Sequence, residues 1–202
     1  RELQGEFDDM IRKGAVSPDP RPGQKAVIEA LRNAGYEVTP ALLRKKRDTI
    51  RFQRGVRDKF AEGLVRSGLY LTWIEKTFVD AGLPVELAAL PHVESSFDYN
   101  AYSHAAAAGI WQFTRSTGRL YLKISSTIDE RLDPIRATEA AARLLRENYE
   151  ALQSWPLAVT SYNHGKGGML RAQKTYGNDL KAIVDSYKSP AFGFASRNFY
   201  AE

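Results

Sequence analysis

The sequence predicts an all-α protein, and three observations carry that reading. Apolar residues recur three and four positions apart in segments rich in Ala, Leu, Arg, Lys and Glu, which is the period of one helix face. No segment alternates apolar and polar residues as a half-buried strand does. Gly, Pro or capping residues separate the segments where helices start and stop.

Residues 1–23 hold a short amphipathic piece and then a turn cluster, Ser17-Pro18-Asp19-Pro20-Arg21-Pro22-Gly23. Gln24 to Asn33 reads as a helix, with Gly35 just past its end. Thr39-Pro40 couples a cap to a first-turn proline and opens a long helix predicted to reach about Ser67. Leu71, Ile74 and Phe78 space the buried stripe of the next helix, which Gly82 ends. Pro84 opens another, through Leu87, Leu90 and Val93. Asp133-Pro134 caps a strongly amphipathic helix carrying Ala141, Leu144, Leu145 and Leu152. Trp155-Pro156 begins one that stops at Gly165. Asn178 is predicted to cap a last helix, ending in the aromatic tail Phe192, Phe194, Phe199 and Tyr200.

The 202 residues are enough for one generous domain with a helical extension. With 43% hydrophobic and 26% charged residues, the composition is that of a soluble chain with a real core. No stretch approaches the roughly 20 apolar residues a membrane span needs, so no transmembrane segment is expected. Cysteine is absent, which removes disulfides, thiolate metal sites and a cysteine nucleophile. The chain opens at Arg1 without a charged-then-apolar leader, as a cytosolic or a processed chain does.

The net charge of +5 is local. Eight basic residues lie between Arg44 and Lys59 against Asp48 and Asp58, while the remainder carries 21 basic and 22 acidic residues. Arg44, Arg47, Arg51 and Arg54 share one helix face. That stripe is either a solvated face or a dock for a polyanion. Nucleic acid is not expected as a partner, because no recognised motif or aromatic platform accompanies the run.

His92, His104 and His164 contain no i, i+4 pair, so no metal site is expected. Gly165-Lys166-Gly167-Gly168 lacks the strand and the Ser/Thr of a phosphate loop and reads as a helix-to-helix turn. No Gly-x-Ser-x-Gly elbow exposes a serine. Glu94 is more informative. Leu90, Val93 and Phe97 give it partly apolar surroundings, and burial raises a carboxyl pKa toward what a general acid near neutral pH requires. Beyond it come Gly109-Ile110-Trp111-Gln112-Phe113, an aromatic-flanked amide, and Ser161-Tyr162-Asn163, a phenol and an amide at a helix end. One acid, two amides, a phenol and aromatic walls compose a sugar cleft, since amides both donate and accept toward acetamido and hydroxyl groups.

Pro91-His92-Val93-Glu94-Ser95-Ser96-Phe97, Ser103, Gly109-Ile110-Trp111-Gln112, Asp133-Pro134 and Ser161-Tyr162-Asn163-His164-Gly165 together resemble the family 1 lytic transglycosylases, the D type most nearly. The resemblance covers about residues 83–165, with 48–82 similar to the family's helical lead-in. It implies a lysozyme-like catalytic SLT domain over 68–202, preceded by a helical extension over 1–67. The implied substrate is the peptidoglycan glycan strand, cleaved at the MurNAc-β-1,4-GlcNAc bond in the periplasm or cell envelope by a monomer without cofactor. Carried over, Glu94 is the acid/base and Tyr162 the phenol that contacts it. Ser103, Gln112 and Asn163 bind substrate, Asn163 at an N-acetyl group. Three departures stand out: Gly-Ile-Trp-Gln replaces the commoner Gly-Leu-Met-Gln, Ser161 replaces an alanine, and Ala195 stands where the family's C-terminal motif has a glutamate.

Hydrolysing glycosidases generally use two carboxylates. Asp98 is the only acid close after Glu94, and it sits where a turn residue is expected. With one carboxylate, the sugar's 2-acetamido oxygen supports the cation at C1 and its own 6-hydroxyl attacks, leaving a 1,6-anhydromuramic end. Two rivals stay open: a goose-type lysozyme in which Asp98 directs water, and a non-catalytic wall-binding protein.

Overall fold

The structure, a computed structural model, describes residues 2–14, 17–47 and 57–201. The chain divides into two compact units, Arg1–Gly55 and Val56–Glu202.

The first unit holds α1 (Glu2–Arg12), α2 (Pro22–Asn33) and α3 (Pro40–Arg47) around Phe7, Met10, Val27, Ile28 and Leu43. Thr39 caps α3 as expected, its hydroxyl accepting from the Leu42 N–H at 3.2 Å. Charge stitches the helices together. Arg21 reaches Glu6 and Asp9 at 2.8 and 3.0 Å, and Arg47 grips Asp8 at 2.5 and 3.1 Å. The Arg47 hydrogen bonds hold the Asp8 carboxyl below its usual range. One arginine of the basic stripe is thus paired within the fold; Arg51 and Arg54 lie outside the described residues, as does 48–56 of the expected long helix.

The second unit begins with α4 (Arg57–Ser67) and α5 (Leu71–Asp80). A 3-10 turn, Val85–Ala89, leads into α6 (Leu90–Glu94). After an irregular stretch come α7 (Arg115–Gly118) and a 3-10 turn, Glu130–Leu132. Then follow α8 (Pro134–Leu152), α9 (Trp155–His164), α10 (Lys166–Tyr176), α11 (Leu180–Ser186) and α12 (Phe194–Asn198). The described residues contain no strand, only isolated bridges such as Tyr102 with Ala108 and Ala108 with Phe113. The all-α class is as predicted. No described helix is long and apolar enough to cross a membrane.

Helix α8 is the axis of this unit. Asp133 caps it by accepting from the N–H groups of Ile135 and Arg136, with Pro134 in the first turn. Its buried face is mostly alanine (Ala137, Ala140, Ala141, Ala142) with Leu145, so the rings of α5 and of the irregular stretch approach closely. Ile74 and Phe78 of α5, Phe97, Trp111 and Phe113 fill that core. Leu152, Leu157, Met169, Ala172, Ile183 and Phe192 form a second cluster under α9–α11.

Two helix expectations need correction. The segment from Pro84 is not one helix. Pro91 has no N–H for the Leu87 carbonyl, and the Leu90 N–H bonds it instead in 3-10 fashion, so a tight turn precedes a short α-helix. Asp179, not Asn178, caps the helix after Gly177: its carboxylate accepts from the Ala182 N–H at 2.9 Å, while the Asn178 oxygen accepts from Gln173 at 2.7 Å. That helix stops at Ser186, four residues before Pro190, and the aromatic tail belongs to the separate α12 and the residues around it.

Candidate active site

Glu94 is the last residue of α6 and is partly buried. The chain then turns sharply: Ser96 and Phe97 are both left-handed, at φ 52° and 57°. Non-glycine residues at positive φ are costly and persist only where their surroundings hold them. Here the Ser95 and Phe97 N–H groups share the Pro91 carbonyl, both at 3.1 Å, and the Phe97 ring is fully buried. Arg66 of α4 donates to the Ser96 carbonyl at 2.9 Å. Gly63, one turn earlier, lets α4 lie there, since a Cβ at that position would meet Ser96 at 3.0 Å. Asp98 accepts from the Asn100 N–H at 3.0 Å, closing the turn, as a turn residue does.

The stretch 101–113 forms the second side. Ser103 is exposed; its hydroxyl accepts from the Ala107 N–H at 3.0 Å, which leaves the hydroxyl proton to donate outward. Gly109 stands at φ +77° where a Cβ would come within 1.8 Å of the Arg131 carbonyl, so only glycine fits. Gln112, at φ 48°, turns away from its neighbours. Its amide nitrogen donates to the carbonyls of Gly109 (2.9 Å) and Ala101 (3.3 Å), so its oxygen remains to accept. Ser95 ties the two sides together, its hydroxyl donating to the Ile110 carbonyl at 3.0 Å.

The rings flanking Gln112 are not cleft walls. Trp111 is fully buried, lies parallel to Phe78 (centroids 5.6 Å apart, 8° between planes), and donates to the Thr138 hydroxyl at 2.8 Å. Phe113 is buried as well. Only the Gln112 side chain of this motif escapes the core, because its neighbours occupy the inward positions. The rings that do reach solvent here are Tyr99 and Tyr102.

Helix α9 supplies the third side. The Tyr162 hydroxyl donates to the Trp111 carbonyl at 2.7 Å, and its ring lies parallel to that of Phe199. Burial is the main reason its pKa is pushed well above 10, with the Glu94 carboxylate as the second cause. The phenol therefore stays neutral beside the carboxyl. Asn163 is exposed, and its amide oxygen accepts from the Ser196 hydroxyl of α12 at 2.7 Å. Burial lowers the pKa of His164, the next residue, whose ring sits edge-on to Tyr187 and Phe192. Among the described residues no three His, Asp or Glu side chains group as metal ligands.

Arg131 holds the second side from behind. It is 2% exposed, binds Asp129 through two hydrogen bonds (2.8 and 2.7 Å), and donates to the carbonyls of Ala106 (2.8 Å) and Phe113 (3.0 Å). Sequence reasoning missed Arg131, Arg66 and Ser196. Each reaches a partner remote in the chain, and the local pairs that two of them also make, Asp129–Arg131 and Glu62–Arg66, do not announce that reach.

Residues 72–184, more than half of the chain, match the transglycosylase SLT domain family, and the chain belongs to that family. Over 113 residues it is 41% identical to the membrane-bound lytic murein transglycosylase D of Escherichia coli (strain K12), a match covering 55% of this chain and 25% of the relative. The same figures hold for the protein of that name from E. coli O6:H1. A protein of Alteromonas sp. (strain M-1), named for tributyltin chloride resistance, is 32% identical over 126 residues, 61% of each chain. The matched segment thus spans about a quarter of the length of the E. coli relatives.

Proposed function

We propose that this chain is the catalytic part of a lytic transglycosylase acting on peptidoglycan glycan strands in the cell envelope. The observation that carries the reading is that Glu94, ending α6, lies within electrostatic reach of the Tyr162 phenol, 68 residues on in the sequence, beside a shell in which Ser103, Gln112 and Asn163 keep polar atoms toward solvent. The neutral phenol, its proton committed to the Trp111 carbonyl, does not compete with Glu94 for proton transfer. Glu94 donates its proton to the oxygen linking MurNAc C1 to GlcNAc as that bond breaks. The 2-acetamido oxygen supports the cation at C1. The 6-hydroxyl of the same sugar then bonds to C1 and returns its proton to Glu94, so one group serves as acid and base in turn. No water is consumed.

The engagement of Asp98 in its own turn supports a single-carboxylate scheme over hydrolysis. We assign the catalytic domain to 68–202 and the helical extension to 1–67, with α4 as the part of the extension that buttresses Ser96. We propose a monomer that binds no nucleic acid.

Glu94→Gln keeps the side chain's size and removes its transferable proton. General acid–base catalysis is worth about 10²–10⁴-fold, and both halves of this reaction use one group, so the upper end is expected. The assay is muropeptide release from purified sacculi, with masses. The wild-type product should end in anhydro-muramic acid, one water lighter than the hydrolysed form. Dominant reducing ends, or a folded Glu94→Gln protein releasing muropeptides at near wild-type rate, would refute the scheme.

A further inference from the structure

Helix α12 is small but firmly anchored. Arg197 donates to the carbonyls of Val184 and Tyr187 at the end of α11 and lies over the Phe192 ring, 5.2 Å from its centre. One residue earlier, Ser196 is 4% exposed, and its hydroxyl meets the Asn163 amide oxygen at 2.7 Å. The Ala191 carbonyl is 3.5 Å away. An O–H···O bond is shortest and best near 2.7–2.8 Å, whereas N–H···O bonds cluster nearer 2.9–3.0 Å. A hydroxyl proton given to Asn163, with Ala191 too distant to take it, therefore fixes which end of the amide faces Ser196. The Asn163 oxygen points at α12 and its NH₂ group faces away.

We propose that Ser196 is a positioning residue that sets the polarity of Asn163, making it a donor that selects an acceptor oxygen on the sugar, namely an acetamido carbonyl. Gln112 is set the opposite way: both its amide protons go to backbone carbonyls, and its oxygen is presented. The two amides thus offer one donor and one acceptor, complementary to the C=O and N–H of N-acetylated sugar. Without Ser196, the exposed Asn163 amide is free to rotate by half a turn and present its oxygen instead, at which point a carbonyl is repelled. The inference deepens the glycan-cleaving reading and rests on it for the choice of sugar, but the selectivity is readable in binding alone.

The test compares wild type, Ser196→Ala, Ser196→Thr, Asn163→Ala and the Ser196→Ala/Asn163→Ala double variant, each checked for folding by thermal melting. Calorimetric titration with N-acetylated chitotetraose and with its fully de-N-acetylated counterpart supplies the binding readout. Muropeptide release from sacculi runs in parallel. One neutral hydrogen bond is worth about 1 kcal/mol, or about fivefold. Ser196→Ala should weaken the acetylated ligand about fivefold and the de-acetylated one less than twofold. Ser196→Thr, which keeps the hydroxyl, should restore wild-type affinity. Ser196→Ala should add nothing in the Asn163→Ala background, since it acts through that residue. Equal losses on both ligands, additive losses in the double variant, or no preference of wild type for the acetylated ligand would overturn the assignment of Ser196. Selective binding without any muropeptide release would instead overturn the catalytic reading and leave Ser196 in place.

Discussion

Replacing Arg131 with Met tests how the site is held. The guanidinium makes four hydrogen bonds from a nearly sealed position, two to Asp129 and one each to Ala106 and Phe113. Methionine fills much of the volume and makes none of them. Breaking a buried ion pair from one side costs about 3–5 kcal/mol, chiefly because the partner charge is left uncompensated. Three features favour the lower end. The Asp129 side chain is 20% exposed, Ala106 is exposed, and the Phe113 carbonyl keeps the Ala108 N–H at 3.0 Å. A loss of about 3 kcal/mol corresponds to about 10 °C of melting temperature for a domain of this size. Urea unfolding followed by tryptophan fluorescence measures it, since Trp111 sits in the core. Arg131→Lys should cost roughly half as much, because the ammonium keeps the charge but not the planar fork. Asp129→Leu added to Arg131→Met should recover part of the loss by removing the stranded carboxylate. The Arg131 hydrogen bonds hold the Asp129 carboxyl below its usual 3.8, so this contribution is fully present above that pH. It is lost as acid carries the pH through the lowered value. An Arg131→Met protein destabilised by less than about 1 kcal/mol, with unchanged muropeptide release, would refute the reasoning.

Two further outcomes are expected. Gly109→Ala should abolish activity and cost more than the roughly 1–2 kcal/mol of a left-handed alanine, because its Cβ must also push the Arg131 carbonyl away from 1.8 Å; melting and sacculus digestion check both. Burial lowers the pKa of His92 and of His164, so unfolding takes up protons below about 6.5; melting temperature should fall as pH drops below that value, and His92→Phe should flatten the decline.

How much was legible in the sequence depended on how local the determining contact is. Asp133-Pro134 and Thr39-Pro40 announce helix starts because cap and partner lie two or three residues apart. Ile74 and Phe78 announce a buried stripe because periodicity is local too. Asn178 and Asp179 are adjacent acceptors, and only the fold decides which one meets a helix N–H and which meets Gln173. The chemistry-bearing types at 94, 112, 162 and 163 were visible as types. Their arrangement was not: Trp111 reads as a cleft wall until Phe78 and Thr138 claim it for the core. Ser196 and Arg66 find their partners 33 and 30 residues away, and no periodicity encodes that.

The same distances explain why the site takes the form it does. The stretch 101–113 belongs to no regular element, so isolated backbone bonds such as Ala108 N–H to the Phe113 carbonyl satisfy only part of its backbone groups. Distant side chains add further partners: Arg131 takes the carbonyls of Ala106 and Phe113, Ser95 that of Ile110, and Tyr162 that of Trp111. Two of these anchors are themselves motif residues, Ser95 next to Glu94 in the chain and Tyr162 within its electrostatic reach. The hydrogen bonds that satisfy the loop therefore also fix the acid, the phenol and Gln112 relative to one another. Stability of the loop and registration of the site are one set of contacts. The left-handed turn at Ser96 and Phe97 is likewise sustained partly from outside, by Arg66 and by the buried Phe97 ring, in addition to the local bond from the Phe97 N–H to the Pro91 carbonyl. Loosening any anchor should disturb the site and weaken the helical core together, because Trp111 and Phe113 of the same stretch pack in the core with the alanine face of α8.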